Sequence, residues 1–311
     1  MGFLFSKPKP SNPFKGSHEC EICPRGEADL ARNFIKCGKN PGHRNFIPVD
    51  QFTKDYLPER YRNPDMTKLV TSLAATTVLI KVNHTSSARP KSTPQFDDYP
   101  AHSGGQGLRL GSGRLCRVSK NTDRHKLCAC ERCELRPSRV WWKCEVITAA
   151  HVVFDASEAT ATKCVFGYDN KDSCTWCLEG FEIEEVDVDG DWCKLVHATC
   201  DQEKVQKLDD LWRNFRFRSV AVHERYKELD DVDKLVVIVS HPHGACKRVS
   251  VGQWKVKKVD GVGYTRYAYN TCTCPGSSGA TVFRLGYGGL YSHTHSGSSG
   301  AQGNFSSRWM V

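Results

Sequence analysis

Ten short apolar runs follow one another between residues 108 and 294, among them LRLGSGRLCRV, WWKCEVIT, KLVVIVS and GYTRYAY. Turns rich in glycine and polar residues separate them. Runs of this length, rich in β-branched and aromatic residues and bounded by turn formers, read as strands. Many of them in succession, without regular helices between, pair as antiparallel sheets rather than as βαβ units. An earlier run at 76–82, TTVLIKV, reads the same way. Helical signals are confined to 66–75 and to 201–215, where acids come early and bases late, as the helix dipole favours. The expected fold class is all-β.

The chain has 311 residues, 39% apolar and 25% charged, enough for a sizeable core. No apolar run approaches the ~20 residues of a membrane-spanning helix. The first sixteen residues, MGFLFSKPKPSNPFKG, lack the apolar stretch of a secretory signal. The net charge of +9 is modest for this length and gives no ground for nucleic-acid binding. It is unevenly spread: residues 114–143 hold nine Lys/Arg against three acids, and 179–191 hold seven acids and no base. Composition divides the chain into a flexible leader (1–17), a cysteine-bearing segment (18–52), a connector (53–75) and a main domain (76–311) with a cysteine-rich insertion at about 114–143.

Three stretches share one chemistry. Thr148-Ala149-Ala150-His151 follows an apolar strand, Asp191 opens the strand WCKLV, and Cys274-Pro275-Gly276-Ser277-Ser278-Gly279-Ala280 is a glycine-bounded turn before TVFRL. A serine hydroxyl needs an imidazole to take its proton, and the imidazole needs a carboxylate to fix its tautomer. Glycines beside the serine let backbone N–H groups turn toward a developing oxyanion.

The order His, Asp, Ser, with gaps of 40 and 87 residues, resembles the chymotrypsin-fold (trypsin-like) serine peptidases over about residues 76–311. The resemblance implies two six-stranded β-barrels with the site between them, and hydrolysis of a polypeptide substrate through an acyl-enzyme. His151 would be the general base, Asp191 its orienter and Ser278 the nucleophile, with the N–H groups of Gly276 and Ser278 as the oxyanion hole. Asp191 is preferred to Asp187 and Asp189 because it alone directly precedes an apolar strand. A second GSSGA string, at 297–301, makes Ser299 a decoy, with only twelve residues after it. Gly111-Ser112-Gly113 matches the Gly-x-Gly strand start common upstream of the histidine.

Departures from the family pattern narrow the reading. Ser277 stands where digestive members carry an aspartate that pairs with a newly cut N-terminus, and no such activation site is present. Cys272 occupies the pocket-floor position that is aspartate in trypsin. Gly289-Leu290-Tyr291-Ser292-His293 resembles the strand that lines the specificity pocket. Glutamate- and glutamine-specific relatives read their substrate with a histidine from this strand, which makes Ser292, His293 and His295 candidates beside Cys272.

Sixteen cysteines in a chain without a secretory signal point to a reducing, cytoplasmic compartment, where cysteine clusters hold zinc. The sequons at Asn83 and Asn304 are compatible with the opposite, secreted reading. Cys20, Cys23, Cys37 and His43 form a C-x₂-C-x₁₃-C-x₅-H pattern suited to a small module closed by structural Zn²⁺, with His18 as a rival fourth ligand. Cys128, Cys130 and Cys133, with Cys116 and His125 before them, form a second candidate set. No cofactor is expected for catalysis itself. Met1-Gly2 with Ser6 fits the outline of N-myristoylation, the one route to a membrane. The N-terminal module is a candidate docking site for a regulatory protein. The rival reading is an idle protease fold that serves as a zinc-containing scaffold binding protein or nucleic acid.

Overall fold

A computed structural model describes residue 14, 16–90, 107–123, 125–128, 130, 133, 137–229, 234–260, 263–286, 293–300 and 303–310. The N-terminal segment supplies β1 (Ser17–His18), β2 (Glu21–Cys23) and β3 (Ile47–Pro48), with the short helix α1 (Leu30–Ile35) between the last two. Helix α2 (Pro64–Thr76) runs directly into β4 (Thr77–Val82), followed by β5 (Leu108–Lys120) and β6 (Trp142–Thr148). After α3 (Ala156–Thr160) come β7 (Thr162–Phe166), β8 (Trp176–Leu178), β9 (Phe181–Asp187) and β10 (Trp192–Thr199). Helix α4 (Gln202–Tyr226) leads to β11 (Leu235–Ser240), β12 (Arg248–Val259), β13 (Tyr264–Tyr269) and β14 (Val282–Arg284). The chain closes with β15 (His295–Ser298), β16 (Asn304–Ser306) and β17 (Trp309–Met310).

These strands form two antiparallel sheets. The first has eight strands in the order β8-β7-β4-β5-β6-β10-β9, with β2 added to β5. The second has nine, in the order β1-β15-β16-β13-β12-β11-β14, with β3 on β12 and β17 on β13. The expectation of two six-stranded barrels thus meets, among the described residues, sheets of eight and nine strands, to which the N-terminal segment contributes β2 and the pair β1 and β3 respectively. Residues 18–52 are not a free-standing module: β1 and β3 belong to one sheet and β2 to the other.

Each sheet closes over its own core. Val78, Ile80, Leu115, Val146, Val152, Phe166 and Leu195 fill the first. The second is built from Leu69, Leu73, Val237, Val239, Val249 and Phe283. Helix α4 explains why 201–215 understates its length. Val205 and Leu208 pack on the first core, while Phe215, Val222 and Tyr226 pack on the second. It is a clamp across both halves, and no proline or glycine interrupts it before Tyr226.

Candidate active site and cysteine–histidine clusters

Strand register brings the first two catalytic candidates together. In the antiparallel pair β6–β10, Thr148 lies opposite Cys193, so the residues just after β6 meet those just before β10. His151 Nδ1 lies 2.9 Å from each carboxylate oxygen of Asp191, and the His151 backbone N–H donates to Asp191 Oδ1 at 3.0 Å. Ser296, the second residue of β15, donates its hydroxyl to Asp191 Oδ2. Asp187 instead caps the turn through Gly190 N (2.7 Å). Burial pushes the Asp191 carboxyl up, but the His151 and His18 rings and these hydrogen bonds outweigh it and hold it at about 2. An ionised Asp191 on Nδ1 places the ring proton there and leaves Nε2 as the base.

The backbone around His151 is clamped from behind. Glu158 is buried and accepts from Arg89 Nε (2.6 Å), Arg109 Nη1 (3.0 Å) and the N–H groups of Ser86 and Phe154 (both 2.9 Å). The same arginines donate onward to the carbonyls of His151 and Val152, both at 3.1 Å.

The nucleophile turn rests on β5. Ser112 N donates to Ser278 O at 2.7 Å, and Ser112 Oγ donates to Gly276 O at 2.9 Å. The Gly-Ser-Gly sequence follows from this closeness: a Cβ at Gly111 would lie 3.0 Å from Ser278 O and 2.7 Å from Val152. Gly276 adopts φ +91°, with its Cβ direction filled by the carbonyl of His241, so its N–H can point into the site. Nε2 of His151 and Oγ of Ser278 are buried without a hydrogen-bond partner among the described residues. Each buried polar group in that state calls for an explanation, and a base and nucleophile awaiting a substrate supply one for this pair.

The remaining pocket residues separate. His295 and Thr273 converge on the carboxylate of Glu19, at 2.9 and 3.0 Å. His293 turns away and bonds Thr265. Cys272 packs beside Cys37, Phe46 and Cys274. Ser292 lies outside the described residues, as does Gly2. Ser299 sits in the β15–β16 turn, with its hydroxyl donated to Gly303 O at 3.2 Å. Sequence reasoning missed Ser296, Thr273 and Glu19, since nothing in a run of polar residues flags them.

All sixteen cysteines are free thiols, and the two clusters assemble differently from expectation. Cys37 and His43 are joined not by Cys20 and Cys23 but by His243 and Cys274, with all four donor atoms within 4.8 Å of one another. Cys23 is buried among Leu79, Leu108 and Leu110, while His18 stacks on His151. The set fits a tetrahedral ion. The two sulfurs are 3.5 Å apart, and Nε2 of both histidines is buried without a partner among the described residues. His243 Nδ1 is bonded to Glu21 Oε2 at 2.7 Å, the carboxylate–histidine support common to zinc ligands. Asn40 donates N–H groups to both sulfurs, at 3.4 and 3.1 Å. Burial pushes the Cys37 thiol up, but Asn40 and His243 outweigh it and lower it.

In the second cluster, Cys128, Cys130 and Cys133 are joined by Cys200, again within 4.8 Å. Cys116 is buried and bonded to Glu145 O, and His125 is exposed on the surface, so neither belongs to it. Cys130 and Cys133 lie 3.5 and 3.4 Å from Cys200. Burial pushes Cys130 up, yet hydrogen bonds from Cys200, Cys128 and Cys133 hold it at about 7.

Three non-glycine residues among those described have positive φ: His43 (49°), Asp191 (60°) and His243 (52°). Such backbone is costly and collects where surrounding structure demands a particular side-chain direction. All three belong to the arrangements above.

No protein-family model matches the chain, and no curated protein matches it. Among solved structures, it is similar to the HtrA-type protease AlgW with a tripeptide, at TM-score 0.38 and 11% identity over 77% of this chain and 58% of that one. It is also similar to the Rv3671c protease from M. tuberculosis in its active form, at TM-score 0.37 and 12% identity over 79% and 82% of the two chains. The thermostable serine protease AL20 from an extremophilic microorganism gives 0.36 and 13% over 76% and 91%. The chain spans 58% of the length of the first of these. The functional reading rests on the site itself.

Proposed function

We propose that the protein is a serine endopeptidase of the chymotrypsin type. His151 is the general base, Asp191 its orienter and Ser278 the nucleophile, with the N–H groups of Gly276 and Ser278 as oxyanion donors. The observation that carries this reading is the buried chain Ser296–Asp191–His151, which fixes the imidazole tautomer and leaves Nε2 free. Nε2 takes the Ser278 proton as Oγ attacks the substrate carbonyl. It returns that proton to the leaving amine, and water then releases the acyl group by the same steps in reverse. Each oxyanion donor is worth roughly 10²–10³ in rate.

Both clusters suit Zn²⁺ in a structural role, with no part in any proton transfer. Cys37, His43, His243 and Cys274 would hold one ion, and the four clustered cysteines the other. Regulation through the N-terminal segment is part of the reading, supported by the pairing of β1 with β15. Among the described residues no helix is long and apolar enough to cross a membrane. Labelling of the purified protein with a fluorophosphonate tests the function. The reading expects modification at Ser278 that is abolished in His151→Ala; a label at Ser299, or one indifferent to His151, overturns it.

A further inference from the structure

His151, Asp191 and Ser278 are all shut off from solvent, as is the side chain of His18 in the chain's own N-terminal segment, which lies over them. β1 adds antiparallel to β15, with Ser17 opposite Ser298 and His18 opposite Gly297. Three residues later β2 adds to β5 of the other sheet, with Glu21 opposite Leu110. The backbone therefore crosses from β15 of one sheet to β5 of the other over Glu19 and Cys20. The His18 ring stacks on His151, with centroids 4.0 Å apart and planes 26° from parallel. The carbonyl oxygen of Glu19 accepts the N–H of Gly276 at 3.0 Å.

The Glu19 side chain is held as specifically as its carbonyl. Its Oε2 accepts from Thr273 Oγ1 (3.0 Å) and pairs with His295 Nε2 (2.9 Å), and its Oε1 accepts from Lys39 Nζ. Lys39 is tied in turn to Thr273 (3.0 Å) and Asn304 (2.7 Å). The Tyr269 hydroxyl lies 2.7 Å from His295 Nδ1. Burial pushes His295 down and keeps it neutral, so Tyr269 donates to Nδ1 and Nε2 carries the proton given to Glu19. Burial pushes the Glu19 carboxyl up, but His295 and Lys39 outweigh it and hold it ionised at about 2. A strand that merely closed a sheet would need neither a carbonyl on this glycine N–H nor a buried carboxylate among three donors.

We propose that the protein cuts its own chain in cis between Glu19 and Cys20, and that the Thr273–His295–Lys39 pocket selects glutamate before the cleaved bond in any later substrate. This rests on the serine-peptidase reading and names the substrate of that site. Ser278 Oγ bonds to the Glu19 carbonyl carbon while His151 Nε2 takes its proton, and the oxyanion forms against Gly276 N–H. Collapse breaks the bond from the Glu19 carbonyl carbon to the Cys20 nitrogen, and His151 protonates the departing amine. Water, losing a proton to His151, cleaves the Glu19 ester, returns the hydroxyl to Ser278 and leaves a carboxylate on Glu19. Departure of residues 1–19 then uncovers β15 for another polypeptide, whereas β2 stays in its sheet.

Intact mass and N-terminal sequencing of the full chain test this. Wild type should lose residues 1–19 and begin at Cys20, and Ser278→Ala should remain whole. Glu19→Ala should slow the cut about 10²-fold or more, since it leaves the buried donors of the pocket unpaired. Mixed with wild type in equal amounts, Ser278→Ala should stay uncut, because its own bond is buried in its own cleft. Cutting of that chain in the mixture, or cutting of wild type at another bond, overturns the proposal. A wild-type chain that stays whole yet hydrolyses a glutamyl peptide added in trans overturns self-cleavage and leaves the peptidase reading standing. A whole chain with neither hydrolysis nor labelling at Ser278 removes both.

Discussion

The two candidate metal clusters, one of two cysteines and two histidines and the other of four cysteines, sit in different mechanical settings. Cys37, His43, His243 and Cys274 tie the N-terminal segment to the nucleophile turn, since Cys274 lies two residues before Gly276 and four before Ser278. Lys39, two residues after Cys37, reaches Glu19, and the His243 partner Glu21 lies two residues beyond that glutamate. Cys128, Cys130, Cys133 and Cys200 instead pin the insertion between β5 and β6 to the end of β10. On the proposed function, an ion in the first position would fix where the catalytic groups stand, and one in the second would fix a peripheral loop. Metal content alone therefore does not predict the effect of losing it; the position of the ligands in the fold does.

The largest contrast is expected from His243→Ala, which should lose one zinc per chain and about 10²-fold or more in kcat/KM on a glutamyl peptide, because a ~1 Å shift of the nucleophile turn costs that much. Metal analysis beside kinetics checks it; loss of the ion at an unchanged rate would break the comparison. Glu21→Gln keeps the ligands but weakens the support on His243, and should cost about 10–100-fold in metal affinity or activity. Titration with a zinc chelator reads the affinity directly. Cys200→Ser should lose the other ion and lower the thermal midpoint, with kcat/KM within about 3-fold of wild type. A rate that falls as far as in His243→Ala would show the insertion to be coupled to His151 after all.

The smallest effect is in acid. Glu19 and Asp191 both sit below their ordinary values of 4.5 and 3.8, at about 2. The stability they contribute is complete above about pH 5 and is lost as pH falls toward 2. Unfolding of Ser278→Ala, with its segment uncut, should steepen with acid in that window. The double variant Ser278→Ala/Glu19→Gln should be less stable at neutral pH and flatter below pH 5; equal slopes would mean that Glu19 is not held as an ion.

What the sequence made legible was local. Strand-length runs marked β5, β6, β10, β11 and β13, and the three short motifs put His151, Asp191 and Ser278 at strand ends. Asp191 could be chosen over Asp187 because it opens β10, and the register with β6 then sets it against His151. The cysteine and histidine groupings were half legible for the same reason. Cys37 and His43 are near in sequence, but His243 and Cys274 arrive some 200 residues later, and spacing rules cannot see such partners. The Cys20–Cys23 pair imitated a zinc knuckle while its residues were serving a strand crossing. His293 and His295 are two residues apart, a spacing that a regular strand points to one face, so only the fold sets His295 on Glu19 and His293 on Thr265. The left-handed backbone of His43 and His243 has no sequence signal, since histidine gives none of the warning that glycine does.

The central claim is that Ser278 is the nucleophile of a working peptidase. Hydrolysis of a glutamyl peptide by wild type, Ser278→Ala and Ser299→Ala, at equal concentration and confirmed fold, tests it most directly. The account predicts a loss of about 10⁴-fold or more for Ser278→Ala and a rate within about 2-fold of wild type for Ser299→Ala. Equal rates for wild type and Ser278→Ala, or equal losses in the two variants, would contradict it.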